Sequence, residues 1–145
     1  MKIVFGSDEK NALTDTVADD LRKRGHELIL VGPPAGENDE WAEVGRKVGE
    51  TVARGEAESG VLFCWTGTGA SIAANKVSNI RAALCTDKET AVGARKWNDA
   101  NVLVMSLRLT SPTVASEMLD AWFSTPVDPA EAENIARLEP SRSSQ

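Results

Sequence analysis

A cysteine followed by a glycine-rich turn is the feature of this sequence best suited to chemistry. Residues 59–76 read SGVLFCWTGTGASIAANK, and their apolar start is typical of a strand buried on both faces. Gly67 and Gly69 permit a tight turn, and the residues after them are typical of a helix. Such a strand, loop and helix direct several backbone N–H groups and the positive end of the helix dipole towards one point. We expect Cys64 to lie at that point.

This placement gives the loop two chemical capacities. A thiol that faces a helix N-terminus is favoured in its thiolate form near neutral pH, and a thiolate can act as a base. The same N–H groups would stabilise an oxyanion that forms on a bound substrate. The alternative is that Cys64 is a structural residue at the end of a strand, because free cysteine is among the residues most often buried.

The composition limits the class of protein. The chain has 145 residues, enough for one globular domain, and its net charge of -6 without a basic cluster argues against nucleic acid or an anionic membrane as a partner. The sequence has no run long enough to span a membrane, and its N-terminus turns polar too early for a signal peptide, which predicts a cytoplasmic protein. Cys64 and Cys85 lack the spacing of a zinc site or a disulfide framework, so we expect no metal or cofactor.

Short apolar runs alternate with amphipathic patterns along the chain, which predicts an α/β fold with a doubly wound, five-stranded parallel sheet. A Thr-x-x-Glu capping box at Thr86 and Glu89 predicts a helix from there to about Trp97. Residues with helical spacing predict three further apolar helix faces. Strands are predicted at 2–6, 27–31, 60–64, 81–85 and 102–106, and the faces at Leu13, Val17 and Leu21, at Trp41, Val44, Val48 and Val52, and at Val114, Met118 and Trp122.

In such sheets, ligands bind outside the carboxyl ends of the strands. The loops after the strands, which include Asp8, Glu9 and Arg108, are therefore candidate site loops, whereas His26 falls at the opposite edge. The domain is predicted to cover residues 1–124. Residues 125–145 read as a tail with one short helix near 130–138 before a disordered end, and we expect the tail to pack on a partner subunit.

Three classes of α/β protein do not fit the residues. A receiver domain would have an aspartate where this chain has Cys64, and a small cysteine phosphatase would have an arginine where it has Ala70. A dinucleotide-binding fold would carry three glycines after the first strand, but the loop there contains only Gly6.

Four sequence blocks together resemble the ribose-5-phosphate isomerase B / galactose-6-phosphate isomerase family. They are Gly6-Ser7-Asp8, CWTGTGASIAANK at 64–76, IRAALC at 80–85 and WNDANVL at 97–103. The resemblance covers about residues 1–124. It implies a metal-independent aldose–ketose isomerase that forms homodimers or pairs of dimers, with sites at the subunit interface.

The resemblance also implies roles for individual residues. Cys64 matches the base that moves a proton between C1 and C2 of the open-chain sugar. Thr66 and the N–H groups of Gly67, Thr68, Gly69 and Ala70 match the part that holds the enediolate. Asp8, Asn98 and Arg108 match positions that contact the substrate, and Arg108 is expected to reach the site of the neighbouring subunit.

Several positions depart from the family pattern. Glu9 and Trp97 stand where the family has histidines, Trp65 stands where it has glycine, and the tail lacks the phosphate-binding arginines, since Arg137 and Arg142 do not match their positions. Because charge-assisted contacts hold a phosphate, we expect a substrate other than ribose 5-phosphate and less negatively charged.

The replaced residues leave alternatives open. Trp65 and Trp97 could stack on a sugar face or pack in the core or an interface, and Glu9 could shuttle a proton for ring opening or be a solvated loop charge. Retention of Cys64 and Thr66 favours catalysis. The alternative function is a non-catalytic sugar-binding or regulatory homologue with the same fold.

Overall fold

The computed structural model describes residues 1–140, which form five strands, six α-helices and two short 3-10 turns. The end of the tail, which includes Arg142 and was predicted to be disordered, lies outside the described residues. The strands are β1 (Lys2–Ser7), β2 (Glu27–Val31), β3 (Ser59–Cys64), β4 (Ala82–Leu84) and β5 (Val102–Ser106). The helices are α1 (Ala12–Lys23), α2 (Trp41–Ala53), α3 (Thr68–Asn75), α4 (Lys88–Asn98), α5 (Pro112–Ser124) and α6 (Ala132–Ala136), and the 3-10 turns are Pro33–Ala35 and Pro129–Glu131.

The five strands form one parallel sheet in the order β2-β1-β3-β5-β4, which confirms the predicted doubly wound α/β fold. Successive residues of a strand point to opposite faces of the sheet. Phe5 and Phe63 therefore pack on one side in the cluster that contains residues of α1, α4 and α5, while Leu62 and Cys64 pack on the other with residues of α2 and α3. Each face is thus covered by its own helical layer. No helix within residues 1–140 has the length and apolarity needed to cross a membrane.

Side-chain caps fix where two of the helices begin. Asn11 caps α1, because its side chain accepts a hydrogen bond from the Thr14 N–H at 3.0 Å. The predicted capping box at Thr86 is wrong: α4 is capped by Asp87, whose Oδ1 accepts from the Thr90 N–H at 2.8 Å. Asp87 forms the N-cap in place of Thr86 because an aspartate oxygen is the stronger acceptor for the first free N–H groups of a helix.

The tail contacts its own subunit in the described residues. The Asp128 N–H donates to the Lys96 carbonyl at 2.8 Å, at the last turn of α4. Farther along, the Glu139 carboxylate accepts from the Asn79 N–H at 2.6 Å. Residues 128–139 therefore follow α4 towards the loop before β4, and their packing on a partner subunit stays a prediction.

Helices α2 and α3 are in close contact because α2 presents glycines to its neighbour. A Cβ atom at Gly45 would lie 2.7 Å from the Ala70 carbonyl oxygen and 2.8 Å from the Ala73 Cβ. At Gly49 the nearest atoms are a methyl group of Val77 at 3.0 Å and the Ala74 carbonyl oxygen at 3.1 Å, both farther away than the two nearest atoms at Gly45. The backbone contact at Gly45 fixes how closely α2 approaches the beginning of α3.

We expect Gly45→Ala to destabilise the protein by about 1–3 kcal/mol, because the added methyl group meets backbone that cannot yield. Gly49→Ala is the matched control: it has the same gain in helix propensity and a smaller clash. Urea unfolding of both variants measures the difference. Equal free energies of unfolding for the two variants would contradict the close approach at Gly45.

Candidate active site

The candidate site lies at the carboxyl edge of the sheet between β1 and β3. The chain leaves β1 towards β2 on one side, and β3 lies on the other side of β1, so this is a topological switch point, where ligands of doubly wound sheets bind. Ser7 is paired with Phe63 in the register of the two strands. The residues that follow, Asp8 and Cys64, are thereby brought to the same edge.

The loop after β3 is tied to the loop after β5. The N–H groups of Leu107 and Arg108 donate to the carbonyls of Cys64 and Trp65, each at 3.0 Å. The Ser106 hydroxyl also donates to the Trp65 carbonyl, at 2.9 Å. These hydrogen bonds fix the backbone on which the Cys64 thiol is carried.

Cys64 is 4% exposed and lines a pocket of about 260 Å³. Cys64 is therefore a lining residue of a cavity, and its side chain also packs in the core cluster with residues of α2 and α3. The other lining residues are Asp8, Trp41, Trp65, Thr66, Thr68 and Gly69. The pocket thus unites six of the residues that the sequence predicted for the site with one that it did not.

Gly67 makes the turn between Cys64 and α3. Its φ is +82°, a left-handed conformation that favours glycine, and a Cβ there would lie 2.5 Å from Cδ1 of Leu84. Gly67 is the N-cap of α3 and has no side chain to bond the first amides of the helix. The first turn of α3 therefore starts beside the pocket, and the N–H groups of Thr68, Gly69 and Ala70 in this turn have no acceptor within the helix. The side chain of Ala70 is buried.

Two threonine hydroxyls stand beside these amides. Oγ1 of Thr66 lies 2.8 Å from Oγ1 of Thr68, and both residues line the pocket. Each hydroxyl can donate one hydrogen bond and accept others. Hydroxyls and amides together form a cluster of donors next to Cys64, of the kind that stabilises an oxyanion.

Trp41 is the functional residue that sequence reasoning missed. Its spacing predicts a place on the buried face of α2, but its side chain is 49% exposed and lines the pocket. Its ring lies against Gly69: a Cβ on that glycine would be 2.7 Å from a ring carbon. The position of Trp41 in the sequence could have predicted its place in the site. The first residue of a helix that follows β2 lies at the carboxyl edge of the sheet, where the site is expected.

Asp8 and Glu9 occupy different environments. Asp8 is half-buried in the pocket, and its pKa is raised mainly by burial, with a smaller contribution from the Glu9 carboxylate. Glu9 is exposed, does not line the pocket, and accepts a hydrogen bond from the Asn11 side chain at 3.2 Å. Asp8 is therefore placed to contact a ligand, while Glu9 is held at the beginning of α1.

Besides Glu9, Gly67 and Ala70, three further predicted residues lie outside the pocket of this chain. Trp97 and Asn98 end α4, which starts at the carboxyl edge and runs back to the amino edge, so they are at the opposite end of the sheet from Cys64. Arg108 is exposed and makes no ion pair within residues 1–140. The lining residues include neither lysine nor arginine. In the same part of the chain, no group of three or more His, Cys, Asp or Glu side chains could hold a metal ion.

A thiol, a carboxyl group and free helix amides at the switch point of a parallel sheet form a site for proton transfer next to a carbonyl group. The sequence model of the Ribose/Galactose Isomerase family matches residues 3–139. The chain belongs to this family and is an aldose–ketose isomerase, an intramolecular oxidoreductase. The predicted resemblance is thereby confirmed.

Individual relatives cover nearly the whole chain. Ribose-5-phosphate isomerase B of Escherichia coli K12 is 38% identical over 123 residues, 84% of this chain and 83% of that protein. D-erythrulose-4-phosphate isomerase 2 of Mycolicibacterium smegmatis is 34% identical over 137 residues, 91% of this chain and 90% of that one. The solved structure of Clostridium thermocellum ribose-5-phosphate isomerase B superposes with a TM-score of 0.87 at 38% identity, covering 95% of each chain.

We expect Asp8→Asn to raise the free energy of unfolding at pH 7. Burial raises the pKa of Asp8 above 3.8, so the folded chain binds this proton more tightly than the unfolded chain does. Ionisation of Asp8 therefore lowers stability as the pH rises from about 3.8 through the raised pKa of the folded chain. Urea unfolding at pH 7 and at pH 3.5 should show a gain at the higher pH that shrinks at the lower one.

Asp19→Asn is the control for this experiment, because Asp19 is an exposed aspartate on α1 outside the pocket. Its stability should stay within about 0.5 kcal/mol of wild type. A loss of stability at pH 7 in Asp8→Asn would contradict the expected destabilising effect of the buried charge.

Proposed function

We propose that this isomerase interconverts an aldose and a ketose through an enediolate, with Cys64 as the base. The observation that carries the proposal is the position of Cys64, which lines a pocket directly before the first turn of α3. Relatives named as sugar phosphate isomerases support catalysis over the alternative of a non-catalytic sugar-binding homologue.

The mechanism transfers one proton within the substrate. The Cys64 thiolate takes the proton from C2 of the open-chain aldose, and the electron pair of that C–H bond forms the C1–C2 double bond of the enediolate. The charge on O1 is stabilised by the N–H groups of Thr68 and Gly69 and by the Thr66 hydroxyl. The O2–H proton then passes to O1, the electron pair left on O2 forms the C2=O2 carbonyl, and the electron pair of the C1–C2 double bond takes the proton back from the thiol at C1, which yields the ketose and restores the thiolate. Asp8 bonds a sugar hydroxyl.

The charge of the pocket supports a substrate less negatively charged than ribose 5-phosphate. The relatives named above act on phosphorylated sugars, but the Cys64 pocket contains a carboxyl group and no cationic side chain. Its walls include two indole rings, Trp41 and the 56% exposed Trp65. Indoles stack on the apolar face of a sugar ring or chain, which requires no charge. We therefore propose a free sugar, or one with a single weakly held anionic group.

We further propose that a second copy of the chain completes the site in a homodimer. Trp97 and Asn98 lie at the far edge of the sheet, so they can contact a sugar at Cys64 only from another subunit. Arg108, exposed and outside the pocket, is placed to reach the partner's site. Glu9 stands in the place of the family histidine but is exposed and outside the pocket of its own chain, so ring opening is not assigned to it. Two dimers could pair into a tetramer through other surfaces.

Deuterium incorporation tests the reaction directly. We expect the wild-type protein, incubated in heavy water with a panel of free and phosphorylated sugars, to introduce deuterium at C1 or C2 of at least one of them. Cys64→Ala should lower this rate by about 10³-fold or more, because it removes the proposed base for the C2 proton. NMR of the sugar measures the exchange.

Cys85→Ala is the matched control. Cys85 is buried, its thiol lies 3.6 Å from the Ala83 carbonyl oxygen, and burial raises its pKa to about 12. Its replacement should leave the exchange rate within a few-fold of wild type. Unchanged exchange in Cys64→Ala would refute the role of that thiol, and no exchange with any sugar in the wild type would count against catalysis.

Trp65→Gly tests what sets the substrate range. Removal of an exposed indole opens the pocket and restores the residue that the family usually has after the cysteine. We expect kcat/KM for the preferred free sugar to fall about tenfold, because stacking on an aromatic ring is worth about 0.5–1.5 kcal/mol. Thr113→Gly, outside the pocket, is the control. A preference for ribose 5-phosphate in the wild type would overturn the proposed substrate class.

A further inference from the structure

A cavity of about 630 Å³ lies away from Cys64, at the amino edge of the sheet. Its wall combines two arginines, Arg81 and Arg95, with the aromatic side chains of Trp122 and Phe123. Pockets of 300–1,000 Å³ with an apolar wall and a few polar groups are typical of small-molecule sites. The proposed isomerase chemistry uses none of these residues.

The two arginines share one carboxylate. Arg81 Nη2 lies 3.5 Å from Asp99 Oδ2, and Arg95 Nη1 lies 3.1 Å from Asp99 Oδ1. Both guanidinium side chains are only 22% exposed. Charges that are largely buried are normally balanced by a partner, so this group has one positive charge in excess. The excess occurs in a chain whose net charge is -6.

Arg95 also has unused donors. Its Nη1 donates to Asp99 and, at 2.6 Å, to the Ala100 carbonyl, but within residues 1–140 its Nε and Nη2 make no hydrogen bond. The guanidinium lies over the Trp122 ring, 5.6 Å from the centroid, which holds it in place. Nε–H and Nη2–H form the fork that binds carboxylate and phosphate through two parallel hydrogen bonds.

One further charged side chain lines the same cavity. It is Glu58, whose carboxylate is exposed to solvent. Within residues 1–140, Glu58 forms no hydrogen bond with Arg95, so the Nε and Nη2 donors of Arg95 stay unused when Glu58 is counted.

We propose that this cavity binds a small organic anion, with one carboxylate or phosphate group held by Arg95 and an apolar body against the half-buried Phe123. The anion supplies the missing counter-charge of the Arg81, Asp99 and Arg95 group. Its body occupies the aromatic side of the cavity. Within one chain, this site shares no lining residue with the Cys64 pocket, which lies at the other edge of the sheet.

The indole N–H signals of the four tryptophans can show which pocket is filled. Trp122 lines the amino-edge cavity, where its Nε1–H donates to Ser59 Oγ at 3.0 Å, whereas Trp41 and Trp65 line the Cys64 pocket. Trp41→Phe, Trp65→Phe and Trp97→Phe assign the four signals by elimination. Phenyl phosphate is the probe, because it has both an aromatic ring and a phosphate group. Inorganic phosphate lacks the ring, and benzyl alcohol lacks the phosphate.

We expect phenyl phosphate to shift the Trp122 signal saturably, inorganic phosphate to bind more weakly, and benzyl alcohol to leave the signal unchanged. Arg95→Gln should weaken phenyl phosphate binding roughly tenfold or more, because it removes the charged fork. Arg22→Gln, which replaces an arginine on α1 outside the cavity, is the matched control and should bind as wild type does.

Arg95→Lys is a second variant in case Arg95→Gln fails to fold, because lysine keeps the positive charge beside Asp99 but lacks the two parallel donors. Its affinity for phenyl phosphate should fall between those of wild type and Arg95→Gln. The proposal is overturned if phenyl phosphate at tens of millimolar leaves the Trp122 signal unmoved, or shifts only Trp41 and Trp65. Equal affinity of a folded Arg95→Lys or Arg95→Gln variant and wild type would overturn it as well.

Discussion

The close contact between α2 and the beginning of α3 is the constraint on which the site depends. Gly45 lets the backbone of α2 approach the Ala70 carbonyl, and Gly69 lets the Trp41 ring lie flat on the first turn of α3. Gly67 then closes the turn from β3 in a left-handed conformation. Without these three glycines, the free amides of α3 would not open into the same small pocket as Cys64. The chemistry proposed for the Cys64 thiol therefore depends on how closely α2 and α3 pack against each other.

Much of the fold could be predicted from local sequence. The five strands and the helices between them follow from apolar runs and helical spacing, and the loop at Cys64 follows from its two glycines. The β5 strand, however, lies between β3 and β4, and no local pattern encodes which strands become neighbours. The same limit explains the error at Thr86: two possible caps stand side by side, and the geometry of the first turn selects Asp87.

The site was predicted less completely than the fold, and for a physical reason. Asp8, Cys64 and Thr66 are next to strand ends, so the topology of a parallel sheet is enough to bring them together. Trp41 has the spacing of a core residue, but it is the first residue of α2. At that position the apolar face of the helix extends beyond the edge of the sheet, so the side chain is half exposed. Trp97 and Asn98 lie at the amino edge of the sheet, opposite Cys64. The topology of a single chain therefore does not bring them close to the thiol.

The order of the strands has a consequence for how this protein is made. During synthesis β3 emerges about forty residues before β5, the strand that covers its free edge. Until then, β3 is a largely apolar edge strand, a surface that readily pairs with other chains. The sheet can close only after residue 106 has left the ribosome, so folding is governed by a long-range pairing late in translation. A nascent chain that stalls before that point would be a natural client for chaperones.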